Sequence, residues 1–513
     1  DWDTQDTTSH SSILQDVDVE HVLLIQNAAG FAVGGLAVGN TSQSADSPFS
    51  NSAITISGSS GTLTDVQVLG SSAGGGYGVV VTDNSAVTID NSTITSFAGN
   101  GGATDYIGSQ TVGVLVGTSG DTSTLTLRNS VIRGAESENS AHNYSYGVRV
   151  IEAGDVTIEG NTFYGGAVGP TNRYPVGVSV QGGQPTTTVI RNNEFYFNDY
   201  AINQVTKSGY SGTLLIERNY IEINDGYNQQ QGMYLNVADN TDTVRNNVIV
   251  KTGGAGTFEG ILLANSSPRL YNNTIVQLPE VTTGFRGIRV VGDSEPDIEN
   301  NVVAHYGTNT YDAAILDYSN DGFGIRTLRN NLLHGPSGLP PMDIGGTDIT
   351  DIDLVNTGVG AADGTASVSA FGNVAIDPQL DLSASGVDRF RPTAASPLSV
   401  KTGGRDLSSV GVIEDFDGTT RNDDAGGSPE YSIGAFEWTN PVAVADARLL
   451  ELLFTGSADD TSGNNVATTA GAYVSQDDAV VSTSRTYVTD RFGNASSALS
   501  FDGDLFEVVT VDE

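Results

Sequence analysis

Short apolar runs recur along the chain in a fixed relation to asparagine, and within each run apolar and polar residues alternate. The motif reads TIDNSTI at 88–94, TLRNSVI at 126–132, IEGNTF at 158–163, IRNNEF at 190–195, IERNYI at 216–221, VRNNVI at 244–249, LYNNTI at 270–275, IENNVV at 298–303 and LRNNLL at 328–333. The aligned step residues are Ser92, Ser130, Asn161, Asn193, Asn219, Asn247, Asn273, Asn301 and Asn331, separated by 38, 31, 32, 26, 28, 26, 28 and 30 residues. A period of roughly 20 to 50 residues marks a repeat architecture. Alternation at every second position predicts strands, and no longer window carries a sustained helical stripe.

Each period holds three such strands. The first follows a glycine, as in GVVV (78–81), GVLV (113–116), GVSV (177–180) and GILL (260–263). The second precedes the asparagine step, as in AVTI (86–89) and TLLI (213–216), and the third follows it, as in EFYF (194–197) and NTIV (273–276). A strand this short cannot bury its own face. Stacking equivalent strands in parallel, about 4.8 Å apart, piles the inward Val, Ile, Leu and Phe into one core. The fold class predicted is all-β: a right-handed parallel β-helix of about ten three-strand coils between roughly 55 and 335, a rod about 50 Å long. Asparagine suits the sharp step because it tolerates the left-handed conformation. Its amide can also bond along the axis to the next rung, so Asn161, Asn193, Asn219, Asn247, Asn273, Asn301 and Asn331 should form a buried ladder. Residues 1–50 then read as an N-terminal cap and imperfect first coil, 51–335 as the β-helix, 336–440 as closing coils and cap, and 441–513 as a separate segment.

Composition agrees with a turn-rich β protein: 63 Gly, 15 Pro and 38% hydrophobic residues. Charge changes the picture more. The formal net charge is −39, and of 22 basic residues only Lys207, Lys251 and Lys401 are lysines. Such a surface repels phosphate backbones, which argues against nucleic-acid binding. It suits a protein hydrated by carboxylates in a salty medium. There is no cysteine, so no disulfide framework is expected. No apolar run approaches the roughly 20 residues of a membrane span. No signal peptide opens the chain at Asp1, which leaves a cytosolic, mature or trimmed chain.

The strings EGILLANSSPRLYNNTIVQL (259–278) and RGIRVVGDSEPDIENNVVAHYG (286–307) resemble the bacterial right-handed β-helix repeat family related to pectate lyases. DPQL (377–380), FRPTAASPLSVKTGG (390–404), DFDGTTR (415–421) and SIGAFEW (432–438) extend the likeness to the closing region of secreted β-helix proteins, many with a C-terminal surface anchor. The resemblance covers roughly 50–438. It implies the fold and export to the cell surface or exterior of a bacterium or archaeon, but no particular activity. LLELLFTGSADDTSGNN (449–465) and DRFGNASSALSFDGD (490–504) resemble the opening of a laminin-G-like or concanavalin-like jelly roll. Such a domain usually needs well over a hundred residues and about seventy are here, so the expectation is either a chain cut short or a domain whose remainder lies on a processed piece, another copy or another chain.

Chemistry is sparse. A polysaccharide lyase needs a base and a cation that neutralises a uronate carboxylate; the candidates are Lys207, Arg218 and Lys251, with Arg245 nearby and Glu222, Asp225 and Glu259 as conceivable metal ligands. Arginine recurs beside the step at 128, 191, 218, 245 and 329, too regularly to mark one active site. DNTD (239–242) is similar to an element of polygalacturonases but lacks its accompanying histidine and Arg-Lys elements, and reads as a polar turn. DFDG (415–418) with Asp423 and Asp424 has the oxygen-rich look of a Ca²⁺ loop, so Asp415, Asp417, Asp423 and Asp424 are the metal candidates. An Asp-Gly turn is the plainer reading. No Ser-His-Asp order, phosphate loop or zinc spacing occurs. The expected function is a structural or adhesive module of an exported surface protein, a stiff rod that binds polysaccharide or cell-surface glycan. The alternative is a polysaccharide lyase acting on acidic polysaccharide.

Overall fold

The computed structural model describes residues 12–16, 21–40, 52–69, 76–95, 111–118, 120–133, 143–165, 173–181, 187–197, 200–205, 212–224, 230–236, 238–239, 241–254, 256–307, 313–320, 323–336, 340–358, 369–421 and 431–438, and two short strands beyond. The chain divides into two units, 1–438 and 439–513. In the second, Thr486–Val488 pairs antiparallel with Ala498–Ser500. The rest of the jelly-roll expectation lies outside the described residues.

The first unit is the parallel β-helix. Three sheets of 13, 12 and 12 strands run its length, and neighbours in each sheet are every third strand in sequence except at the last pairs, where Met342–Ile344 joins Thr347–Ile349 antiparallel and Thr327–Arg329 joins Ser369–Phe371. We number the sheets by the order in which each coil visits them. Sheet 1 holds the glycine-led strands, sheet 2 those before the asparagine step, and sheet 3 those after it. Coil 1 comprises His21–Gln26, Ala29–Gly34 and Leu36–Asn40. Coil 11 comprises Ile315–Ser319, Thr327–Arg329 and Leu332–His334. Coil 12 is partial, with Met342–Ile344 in sheet 1 and Ser369–Phe371 in sheet 2. Ten sheet-2 strands fall between 55 and 335, as the repeat count predicts.

Register is constant. On sheet 1, Ile54, Val79, Val114, Val148, Val178, Ile202, Met233, Ile261, Ile288, Ile315 and Met342 lie in one file. All belong to a single continuous buried cluster. The glycine preceding the core residue has a packing reason. At Gly177 a β-carbon would sit 2.5 Å from the Ala201 carbonyl oxygen and 2.7 Å from the Phe195 ring.

The asparagine step divides its two tasks between neighbours. The left-handed residue is the one before the ladder position: Asn91, Asn129, Gly160, Asn192, Arg218, Asn246, Asn272, Asn300 and Asn330 all have φ between 49° and 66°. This corrects the expectation that one asparagine both turns the chain and bonds along the axis. The ladder residues do the bonding. Asn219 Oδ1 accepts from the Asn193 backbone N–H at 3.1 Å and its side-chain amide at 3.0 Å, while Asn219 Nδ2 donates to the Ile190 carbonyl at 2.9 Å. The same set repeats to Asn331, continues to Asn373, and ends on Asn356 at the end of the short helix Ile352–Asn356. Ser130 and Ser92 extend the file toward coil 2 with a hydroxyl acceptor in place of the amide. A second file lies between sheets 1 and 2, where Ser59, Ser85 and Ser123 each accept the backbone N–H one coil back. Ser266 and Ser294 repeat it further on.

After Val374 the chain leaves the sheets and runs back along the rod. Phe390, Val400, Ile433, Ala435 and Phe436 cover the outer face of sheet 3 at Tyr220, Val248, Val250, Val276, Val302, Ala304 and Leu332. We call the described residues of this segment, 375–421 and 431–438, the strap.

Replacing Asn247 with Ala removes the acceptor for two Asn219 donors and the side-chain donor to the Ile216 carbonyl. At roughly 1–3 kcal/mol for buried polar groups left unpaired, the expected loss in chemical denaturation is about 2–4 kcal/mol. Asn247→Ser should cost less, since Ser130 shows that a hydroxyl can hold a rung.

Candidate functional site

Of the candidate catalytic cations, the two that are described, Arg218 and Lys251, are not brought together. Lys207 lies outside the described residues, as do Asp225, Asp423 and Asp424. Arg218 takes the left-handed turn position, and its guanidinium reaches outward to Glu414 on the strap at 2.8 Å. Lys251 is wholly buried. It shares an inward file of sheet 3 with Ile223, Gln277 and His305 and donates to Gln230 Oε1. Arg218 thus lies outside the wall formed by sheet 3 and Lys251 inside it, so they cannot face one substrate.

The metal candidates on the strap are occupied. Asp415 is buried, and its carboxylate accepts the backbone N–H groups of Asp417 and Thr419 at 2.9 and 2.8 Å and of Glu437 at 3.0 Å. Asp417 binds Arg391. Among the described residues no group of three or more His, Cys, Asp or Glu is placed to hold a metal ion. In DNTD, Asp242 is buried and accepts the N–H groups of Leu214 at 2.6 Å and Asp239 at 3.1 Å; burial pushes its carboxyl up to about 7.

Except for Arg218 at its turn, the regular arginines belong to a charge file on the outer face of sheet 2. Successive rungs carry Asp90, Arg128, Glu159, Arg191, Glu217 and Arg245, opposite signs alternating one coil apart. Pairs close at 2.9 Å for Arg128–Asp90 and Arg191–Glu159, and at 2.7 Å for Arg245–Glu217. Farther along, Glu299 pairs with Arg405 of the strap at 2.6 Å and Arg329 lies over the Phe371 ring. These cations tie coils to each other and to the strap.

The strongest concentration of chemistry is on the outer face of sheet 1. Gln231, Glu259 and Arg286 are consecutive in one outward file. Glu259 is wholly buried, accepts from Arg286 at 2.9 Å and Arg289 at 2.7 Å on one oxygen, and from Gln231 at 2.6 Å on the other. Both guanidiniums keep about a quarter of their surface exposed, and two positive charges on one carboxylate leave a local excess of one. The Arg289 Nε is buried without a partner. Toward coil 6 the same face holds Ser179, which donates to Asn203 at 3.0 Å, and toward coil 3 it becomes apolar at Tyr77, Val80, Val112, Leu115, Tyr146 and Val176. Glu259 appeared in the sequence only as a conceivable metal ligand. Nothing in its local pattern distinguishes it, because its partners come from the coils on either side.

Inside the rod, the Gln277 amide nitrogen donates to the Thr283 carbonyl at 2.9 Å and sits 3.3 Å from His305 Nε2. The His305 ring stacks on Phe285. Burial, with a smaller contribution from His334, holds the imidazole down at about 4, so it is neutral at physiological pH.

The sequence of residues 52–303 matches the family described as a right handed beta helix region. No curated protein matches the chain. Two chains of solved structures match. One is the periplasmic alginate epimerase AlgG in a mutant form, at 14% identity over 68% of this chain and 78% of that one, with a TM-score of 0.34. No helix of the described residues is long and apolar enough to cross a membrane.

Two outcomes follow. Glu259→Gln removes the counter-ion of two arginines, and should lower stability by about 2–4 kcal/mol in urea unfolding, while Arg289→Met, at the rim, should cost about 1 kcal/mol. His305 has a folded pKa below its unfolded value, so its contribution is full above pH 6.5 and is lost as pH falls toward about 4. That loss amounts to about 3 kcal/mol. His305→Phe should flatten the pH dependence of the unfolding midpoint in that window; an unchanged slope would refute the assignment.

Proposed function

We propose that this chain is a stiff structural module of an exported or cell-surface protein, a β-helix rod that carries or spaces other parts and offers its outer faces to glycans. The observation that supports this best is the use of its cations. Arg128, Arg191 and Arg245 close coil-to-coil pairs, Arg218 and Arg405 tie rod to strap, and Lys251 is sealed inside. A net charge of −39 also opposes long polyanions, the substrates of uronate lyases, at low salt.

A carbohydrate-active enzyme is the second reading. The feature that favours it is the Gln231–Glu259–Arg286–Arg289 group, whose excess positive charge could neutralise a uronate carboxylate on the sheet-1 face.

Incubation with uronate polymers separates the two. The rod reading expects no new ultraviolet absorbance from unsaturated sugars and no change in uronate stereochemistry by NMR. Turnover that disappears in Arg286→Ala or Arg289→Ala would replace it with the enzyme reading.

A further inference from the structure

Among the described residues the strap contributes nothing to the three sheets. Beyond the Leu332–Val374 bridge, its ties reach side chains and turn backbone on the outside of the rod. The left-handed asparagines of coils 8–11 act as receptors. Asn246 Nδ2 donates to the Glu414 carbonyl at 2.7 Å, Asn272 to the Ser432 and Gly434 carbonyls at 3.2 Å, Asn300 to the Arg405 carbonyl at 2.8 Å and Asn330 to the Gly403 carbonyl at 2.8 Å. In coils 4 and 6, where no strap lies, the equivalent Asn129 and Asn192 donate instead to the neighbouring carboxylates Asp90 and Glu159. The paired asparagines of coils 8–11 therefore carry two recognition files, one for the next rung and one for the strap.

A buried clasp holds the strap against coil 8. Arg421 donates to Glu437 at 3.0 Å, to Asn246 Oδ1 at 2.8 Å and to the Gly434 and Ala435 carbonyls at 2.8 and 3.1 Å. Ser432 N–H also donates to Glu437. Removing one charge of such a pair leaves the other buried and uncompensated.

We propose that the strap, residues 375–421 with 431–438, is a latch that opens as one unit from a rod already closed without it, and that the face it leaves takes the same segment of a second copy. Opening breaks no ladder hydrogen bond between coils. It uncovers an apolar strip, Val248, Val250, Val276, Val302, Ala304 and Leu332, beside an amide file that already fits this segment. Exchange of an identical element between copies makes the same contacts twice, so it costs little beyond the entropy of association. The charge of −39 keeps copies apart at low ionic strength, and salt shortens that repulsion to a few ångströms at about 1 M.

The test is hydrogen exchange with peptide-level mass spectrometry on the full chain and on Glu437→Gln, together with light scattering after size exclusion across a concentration series in high salt. Exchange in the strap should rise at least tenfold in Glu437→Gln while coils 2–6 keep their protection, and dimer should grow with concentration in the variant. Arg218→Gln, which loses one outer tie, should give a smaller rise and serves if the first variant folds poorly. Acceleration spread evenly over the coils, or none in the strap, overturns the latch. Faster strap exchange in a chain that stays monomeric at every concentration overturns the exchange between copies.

Discussion

Everything in this molecule depends on equivalent residues stacking in register along one axis. A three- or four-residue strand has too little apolar surface to stand alone, so each coil is stable only against its neighbours. The price of a parallel stack is that polar groups at every corner become buried. The asparagine and serine files meet that cost rung by rung, each side chain accepting the N–H of the coil before. Because the file is continuous from Ser92 to Asn356, the rod has a defined register as well as a core: a slip of one residue would turn the Ile and Val files outward and break each amide bond at once.

The same periodicity explains the surface. Any residue type placed at a fixed offset from the step becomes a line along the rod. At the outer position of sheet 2 the line alternates carboxylate and guanidinium, which lets a strongly acidic chain place scarce arginines where each meets an acid above or below. At the left-handed position the line is asparagine except at Gly160 and Arg218, and the asparagine amides turn toward carboxylates in coils 4 and 6 and toward strap carbonyls in coils 8–11. Sheet 1 departs from this economy, with a buried carboxylate under two arginines, and that departure makes it the place to look for ligand chemistry.

Much of the fold was legible because its signal is local and repeated. The strings from TIDNSTI to LRNNLL give the coil number, the strand order within a coil and the ladder residues. What was not legible depends on contacts between distant segments. Nothing near Lys251 tells that it points inward, since VIVK and NTIV alternate alike and only the register with Ile223 fixes the side. Glu259 gains its meaning from Arg286 and Arg289 a coil away, and Asp415 from Glu437 and Thr419 after the chain has folded back. The doubled asparagines were visible, but one residue was credited with both tasks; the φ values assign the turn to the first and the ladder to the second.

The account rests on outward residues of sheet 2 lying in a single file. Spin labels at cysteines replacing Thr88 and Thr243, and in a second sample Thr88 and Thr327, would be unique in a chain with no cysteine. Those pairs are five and eight rungs apart in the register. At about 4.8 Å per rung, pulsed electron spin resonance should give narrow distributions centred near about 24 and 38 Å, widened by the label linkers. Distances that are broad, or that do not scale with rung number, would contradict the stack.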